Sequence, residues 1–517
     1  MKPSANVTFI FASSAPELTL CQDAMIGKKL GRLVLEYFGP EAVSRYDLID
    51  CFDQSIRKSK RLLLRTNKSL KLLLPDGCHM RQPCSENMGF VADLPEGAVK
   101  AQLAGISPLR TLLIVGRGTI SSWEVVALDR NRKTHARAYF QSFQAEGGNK
   151  SVTLVTVKGL RGYDKAFDAL TALIGRLRYK DGLKQDVASL YRQLIPDYHD
   201  YNPKPDIVIT REESSFQAAN NIISLYMAIA RHNEPGIIAD YDSEFLHDYR
   251  VSLRKVRSVV SLFKGTYSDE QTQDLKQAFA KLMEPTGRLR DLDVYLLDRQ
   301  HYFDLLPGVL HDGLTIMFKM FAEERSKQHK VIAAHFKRSA YHDSISQLAN
   351  LFSHSDGLQR GPNALQPAYN YACDLIWKRY RKIGKIARAI DDDTNDEDVH
   401  ELRIHCKKLR YLMEFFSPLF DSKHIKRLLK PLRRLQDNLG LFNDYSVQQE
   451  FIKDFTDSHR PKNKEQKFMV AKTAGALIAV LYQRQMEERD KVVRSFIEFD
   501  SETIQVLFRK LFQHCGK

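Results

Sequence analysis

Two segments of this chain place a histidine and three cations along one face of a helix. They are His247-Asp-Tyr-Arg250-Val-Ser-Leu-Arg254-Lys-Val-Arg257 and, 153 residues later, His400-Glu-Leu-Arg403-Ile-His-Cys-Lys407-Lys-Leu-Arg410. The shared spacing of 0, 3, 7 and 10 makes a single stripe, because residues three and four apart are neighbours on a helical surface. Arginine fills five of the eight positions, and its planar fork suits pairs of phosphate oxygens better than an ammonium does. A solvated basic face is the ordinary alternative. Such faces mix signs to gain i,i+4 pairs, whereas no stripe position here is acidic. Cations on successive turns repel, so the row costs stability unless something anionic lies along it. The chemistry these residues suit is therefore capture of a polyanion. The leading histidine has two readings: bonded to a nearby carboxylate, or protonated beside the anion, where it adds a donor and pH dependence.

A second marker keeps the same offset. Gly287-Arg-Leu-Arg290-Asp291-Leu-Asp-Val294 returns as Gly440-Leu-Phe-Asn443-Asp444-Tyr-Ser-Val447. Two markers with one offset argue for an internal duplication. Asp291 and Asp444 read as groups that orient cations, since no partner carboxylate recurs to make an acid–base pair. Lys281 shares the offset with Arg434, while Lys426, Lys430 and Arg433 step along one helix face. Lys378, Arg381, Lys385 and Arg388 form another stripe, read as solvated.

The elements that must position these residues are helices. Leu246, Tyr249, Leu253, Val256, Val260 and Phe263 step by 3, 4, 3, 4, 3, and Val399, Leu402, Cys406, Leu409, Met413 and Phe416 step identically. These seams bury each helix against its neighbours and leave the cations about 100° around, on the flank. Ser243 is the expected N-cap of the first stripe helix. The acidic run Asp391–Asp398 precedes the second, where it matches the positive end of the helix dipole; a metal site is the alternative reading. Helical periodicity runs from about Glu213 to the end, with breaks near Ser353–Gln366 and Ser458–Asn463. Before it, strands are expected at Val7–Ala12, Arg61–Arg65, Leu70–Leu74, Thr111–Val115, Ser122–Leu128, Ala136–Phe143 and Val152–Val157. Turns are expected at Pro75–Gly77, Gly116–Gly118 and Gly147–Asn149, and helices at Ala24–Phe38 and Tyr163–Arg178. Ile195–Pro205, with three prolines, reads as a linker.

Bulk properties set the frame. The chain has 517 residues, 43% hydrophobic and 27% charged, with a net charge of +15 spread over both halves. This is the composition of a globular chain of two or three domains. No apolar stretch reaches the ~20 residues of a membrane span. No secretory signal is evident at the N-terminus, and seven cysteines make no paired framework. The expectation is a cytoplasmic protein. Cys78-His79 with Cys84 is at most a partial metal site, lacking a second ligand pair. No phosphate loop, dinucleotide fingerprint or His-Glu-x-x-His is present.

Residues 213–517 resemble the CHAD family, the conserved histidine α-helical domain. The doubled His-x-x-Arg-x-x-x-(Arg/Lys)-x-x-Arg row carries the likeness, with Arg290-Asp291-Leu292-Asp293-Val294, Leu409-Arg410-Tyr411 and the run Leu435–Asp444. The resemblance implies two pseudo-symmetric helical bundles around a basic groove or pore that binds inorganic polyphosphate in a bacterial or archaeal cytoplasm, with association with polyphosphate granules. Carried over by position, the binding residues are His247, Arg250, Arg254, Arg257, His400, Arg403, Lys407 and Arg410, supported by Lys281, Arg290, Lys430 and Arg434. Residues 1–180 look like a degenerate CYTH (triphosphate tunnel) domain, through Tyr46-Asp47-Leu48-Ile49-Asp50, Leu62–Arg65 with Leu70–Leu72, and Trp123–Asp129. CYTH enzymes open with Glu-x-Glu-x-Lys, whose carboxylates hold the catalytic metal, and this chain has no Glu-x-Glu. The expectation is thus an α+β multidomain protein: residues 1–180 β-rich, 181–212 a linker, 213–355 the first helical repeat and 356–517 the second. It has no catalytic residues, metal site or cofactor, and polyphosphate is its partner. A nucleic-acid module and a metal-dependent triphosphatase are the rival readings; membrane is not an expected partner.

Overall fold

Strand-forming residues alternate through the first 160 positions, and they build one sheet. The computed structural model describes residues 6–13, 27–39, 43–67, 69–75, 79–84, 88–148, 151–178, 191, 194–195, 200–390, 394–459, 461 and 463–513. Two compact units form, residues 1–202 and 203–517.

Among the described residues the first unit holds ten strands: β1 (Asn6–Ser13), β2 (Lys29–Leu30), β3 (Leu33–Phe38), β4 (Ser44–Cys51), β5 (Leu62–Thr66), β6 (Ser69–Leu73), β7 (His79–Pro83), β8 (Leu112–Leu128), β9 (Thr134–Ala145) and β10 (Ser151–Gly159). They pair antiparallel in the order β1-β10-β9-β8-β4-β5-β6-β7, with β3 also on β8 and β2 on β3. Short helices α1 (Ser55–Lys58) and α2 (Ala98–Leu103) precede α3 (Asp164–Arg178), whose Ala166, Phe167, Leu170 and Ile174 close one core with Phe9, Trp123 and Phe140 of the sheet.

Two expectations fail here. The segment 24–38 is not a helix: Val34–Phe38 pairs with Glu124–Leu128, and Gly31 turns the chain at φ +64. Its alternating apolar and aromatic residues fit a pleated surface better than a helix. Residues 24–26 lie outside the described residues. Nor is there a turn at Gly116–Gly118, because β8 runs unbroken, paired with β4 over its first half and β3 over its second. A side chain at Gly118 would strike the Gln144 carbonyl and the Tyr46 ring, so this glycine serves close backbone approach. Asp76, Gly77, Asn149, the linker positions 196–199 and Asp391–Asp393 of the acidic run also fall outside the described residues.

The described elements of the second unit are helices: α4 (Ser215–Ala239), α5 (Ser243–Leu262), α6 (Asp269–Met283), α7 (Gly287–Leu297), α8 (Arg299–Asp304), α9 (His311–Phe336), α10 (Ser339–His354), α11 (Ala368–Ala387), α12 (Asp396–Phe415), α13 (Ser422–Ser458), α14 (Lys464–Arg489), α15 (Val492–Phe499) and α16 (Glu502–Phe512). The starts of α4, α5, α6, α9 and α10 recur 153 residues later as those of α11, α12, α13, α14 and α15. The duplication thus extends beyond its two markers to the whole helical frame. Repeat one breaks where repeat two runs on. Pro285 ends α6 through a one-turn 3-10 helix, because it lacks the N–H that an α-helix needs; the matching part of α13 continues unbroken.

Candidate polyanion-binding site

The stripe helices α5 and α12 begin with side-chain caps. Asp242, not Ser243, caps α5: its Oδ1 accepts from the Glu244 and Phe245 amides at 2.9 and 3.3 Å. Asn395 caps α12 by accepting from the Asp398 amide at 2.9 Å. All twelve seam residues are buried, none more than 3% exposed. A fully buried Leu, Val or Phe contributes ~1.5–3 kcal/mol, so the seams outweigh the repulsion within the stripes and fix which way the cations point. The two helices pack against each other.

The second markers hold the stripes in place. His400 Nδ1 lies 2.7 Å from the Asn443 amide oxygen, and Arg403 pairs with Asp444 at 3.6 Å. In repeat one the half-buried Arg250 donates to Thr286 Oγ1 at 2.6 Å and to the Met283 carbonyl at 3.3 Å. Burial raises the Asp291 pKa, opposed by Arg250, Arg288 and Arg290. His247 is half-buried at the head of its stripe. The exposed Arg257 reaches Met283 Sδ at 3.8 Å.

The two stripes meet at Arg254 and Lys407. Burial pushes the Lys407 pKa down to about 8, and the charges of Arg254, Arg403 and Arg410 push the same way against Asp444. Arg250 is also lowered, by burial and then by Arg254, with Arg290 adding to it. Arg250 Nε, Arg290 Nη1 and Arg410 Nε are buried with no hydrogen-bond acceptor. Cationic donors here outnumber the acids that could satisfy them.

A groove of about 1160 Å³ opens between α5, α12 and α13; of the eight stripe residues Arg254 and Arg410 line it, and Lys407 lies behind them beside Arg254. Arg254, Arg410, Lys430 and Arg434 line it, with Lys426 and Arg433 beside them. Lys281 instead lines a second cavity, of about 800 Å³, with His335, Arg338 and Tyr341. Charged groove residues that escaped the sequence reading include Lys204, Asp206, Lys255 and Glu414. Lys255 hydrogen-bonds Tyr226 at 2.8 Å, Lys204 comes from the extended segment before α4, and Glu414 is an internal counter-ion. Glu414 pairs with Arg410 at 3.8 Å and Arg433 at 3.7 Å. The available signal was the recurrence of Lys255 as Lys408; nothing local marks Lys204 or Glu414.

In the first unit Asp47 pairs with Arg65 at 2.6 Å and Arg117 at 3.4 Å, and buried Asp50 accepts from the Ile56 and Arg57 amides and the Tyr191 hydroxyl. Glu124 pairs with Arg137 at 3.1 Å. Among the described residues no three His, Cys, Asp or Glu side chains are grouped to hold a metal; Cys78 lies outside them. No described helix is long and apolar enough to cross a membrane.

A comparison with protein-family models matches the CHAD domain over residues 221–453. Among solved structures, the chain is similar to the CHAD domain of the plant Ricinus communis at 21% identity, covering 61% of this chain and 98% of that one, with a TM-score of 0.47. PptA from Streptomyces chartreusis matches at 13% identity over 55% and 99% of the two chains, TM-score 0.42. A putative adenylate cyclase from Bacillus halodurans matches at 15% over 34% and 89%, TM-score 0.24. No curated protein gives a significant match.

Proposed function

We propose, on the premise that this chain carries a CHAD domain, that the domain binds linear inorganic polyphosphate in the groove between its repeats and holds it without chemical change. The observation that carries this reading is the crowding of Lys407 against Arg254, Arg403 and Arg410 in a half-buried setting with Asp444 as the opposing charge. Such an arrangement raises the energy of the empty site and is relieved by a multivalent anion. Successive phosphates would engage the cations of α13 and then those of α5 and α12, as counterions leave the polymer.

The groove's aromatic residues weigh against a nucleic-acid ligand. Tyr226 and Tyr411 are 2% and 7% exposed, which leaves no free ring face on which a base could stack. The first unit, read as a degenerate CYTH-like sheet, has no catalytic part in this reading; Asp47 and Asp50 already serve neighbouring donors.

The test is affinity for long-chain polyphosphate against single-stranded RNA of equal charge at two salt concentrations. Polyphosphate should bind more tightly than RNA. The double change Arg254→Ala with Lys407→Ala should weaken polyphosphate binding at least ~100-fold, at ~1.5–3 kcal/mol per charged contact, and flatten its salt dependence. Equal binding of RNA, or an unchanged double variant, would sink the proposal.

A further inference from the structure

A second group of cations lies on the next flank of α12. Arg379 Nη1 of α11 donates to His405 Nδ1, His405 Nε2 faces Glu401 at 3.2 Å, and Lys382 pairs with the same Glu401 at 3.2 Å. Lys408 is near Arg379, Lys382 and Lys264, the last just past the end of α5; burial and these charges depress it, and Glu401 opposes them. Among the described residues, three further cations thus gather around Lys408, with Glu401 as the acid that opposes them. Lys408 follows Lys407 directly, about 100° around the helix, and none of these residues lines the groove described above.

The duplication shows that the fold does not require these charges. Repeat one builds the same pair, α4 against α5, with Tyr226, Ile229 and Ser252 at the positions of Arg379, Lys382 and His405. Those three are nearly inaccessible, and Tyr226 bonds Lys255, the counterpart of Lys408. Asp248 stands where repeat two has Glu401. Repeat two thus carries three basic groups at positions where repeat one buries uncharged residues.

We propose that Arg379, Lys382, Lys408 and Lys264 form a second anion site, taking a short phosphate oxyanion such as orthophosphate or tripolyphosphate. The surplus of about three positive charges suits a multiply charged tetrahedral group, and the guanidinium fork suits two of its oxygens. His405, a neutral imidazole that accepts from Arg379, aims that fork. The site rests on the phosphate reading of the groove only for its choice of probe.

The test is the stoichiometry of tripolyphosphate binding to the full chain by calorimetry. Two sites per chain are expected. Grafting the repeat-one residues, Arg379→Tyr with Lys382→Ile and His405→Ser, should leave one, and Arg254→Ala with Lys407→Ala should remove the other. In the latter variant, tripolyphosphate should still shift the His405 ring resonances. An unchanged stoichiometry in the grafted variant, or a silent His405, overturns the second site. An unchanged groove variant overturns the groove instead. Should the graft unfold, Lys408→Gln carries the test, with about a tenfold weaker second site expected and equal affinity overturning it.

Discussion

Lys407 sits where the charges of both repeats converge, and through Arg254 and Arg410 at the groove wall its pKa of about 8 predicts a pH dependence of anion binding. The sign follows from the depression below 10.5. Below about pH 8 Lys407 is charged, and polyphosphate binding stabilises that form, so affinity should fall as pH rises through 8, with proton uptake on binding in that range. Folding responds the other way. Between pH 8 and 10.5 the unfolded chain holds more protons at this lysine, so the ligand-free domain should gain stability across that window. Titration calorimetry in buffers of differing ionisation enthalpy reads the uptake; Lys407→Arg should abolish it, and persistence of the uptake would reassign the group. Glu414 makes an opposite contribution. It occupies Arg410 and Arg433 with a charge that polyphosphate must displace, so Glu414→Gln should raise polyphosphate affinity several-fold, on the order of 1 kcal/mol. Equal affinity would mean the acid moves aside freely. The stripe residues were legible because their spacing is local. Glu414 was not, because a carboxylate one turn after Arg410 looks like an ordinary i,i+4 partner until α13 brings Arg433 to it.

At the scale of elements, local rules chose the helices of residues 213–517 but missed some of their ends. Ser243 is a good capping residue, yet Asp242 takes the role because its own backbone, at φ −156 and ψ 165, is extended and aims its carboxylate at two amides. Asp242→Ala should lower the domain's unfolding free energy by about 1 kcal/mol, while Ser243→Ala should change it by less than ~0.5 kcal/mol. Denaturant midpoints of the two variants decide between the caps. The misread segment 24–38 shows the opposite limit. Leu33–Phe38 carries both a helical and an alternating reading, and its partner strand lies some ninety residues away in sequence, so no local window could settle it. Gly116 and Gly118 misled for a related reason: glycine marks a turn or a close approach, and only the neighbouring strand says which.

At the scale of the molecule, the repeat makes the site. A long polymer can engage cations from both repeats at once, whereas three phosphates span only part of the groove, so affinity should rise with chain length and then level off. Competition among polyphosphates of defined length tests this; a groove satisfied by tripolyphosphate would show no length dependence. The sequence alone determined the duplication, the apolar seams and the row of cations beside them. Each is a periodic pattern, and helix geometry converts period into face without help from distant residues. Only the tertiary structure decided that Arg254 and Lys407 meet, that Lys281 turns to another cavity, that Glu414 stands among the groove's cations and that Lys408 belongs to a separate cluster. Those outcomes depend on how two helices pack across 153 residues of chain, where crossing and burial set the distance between charges and periodicity says nothing.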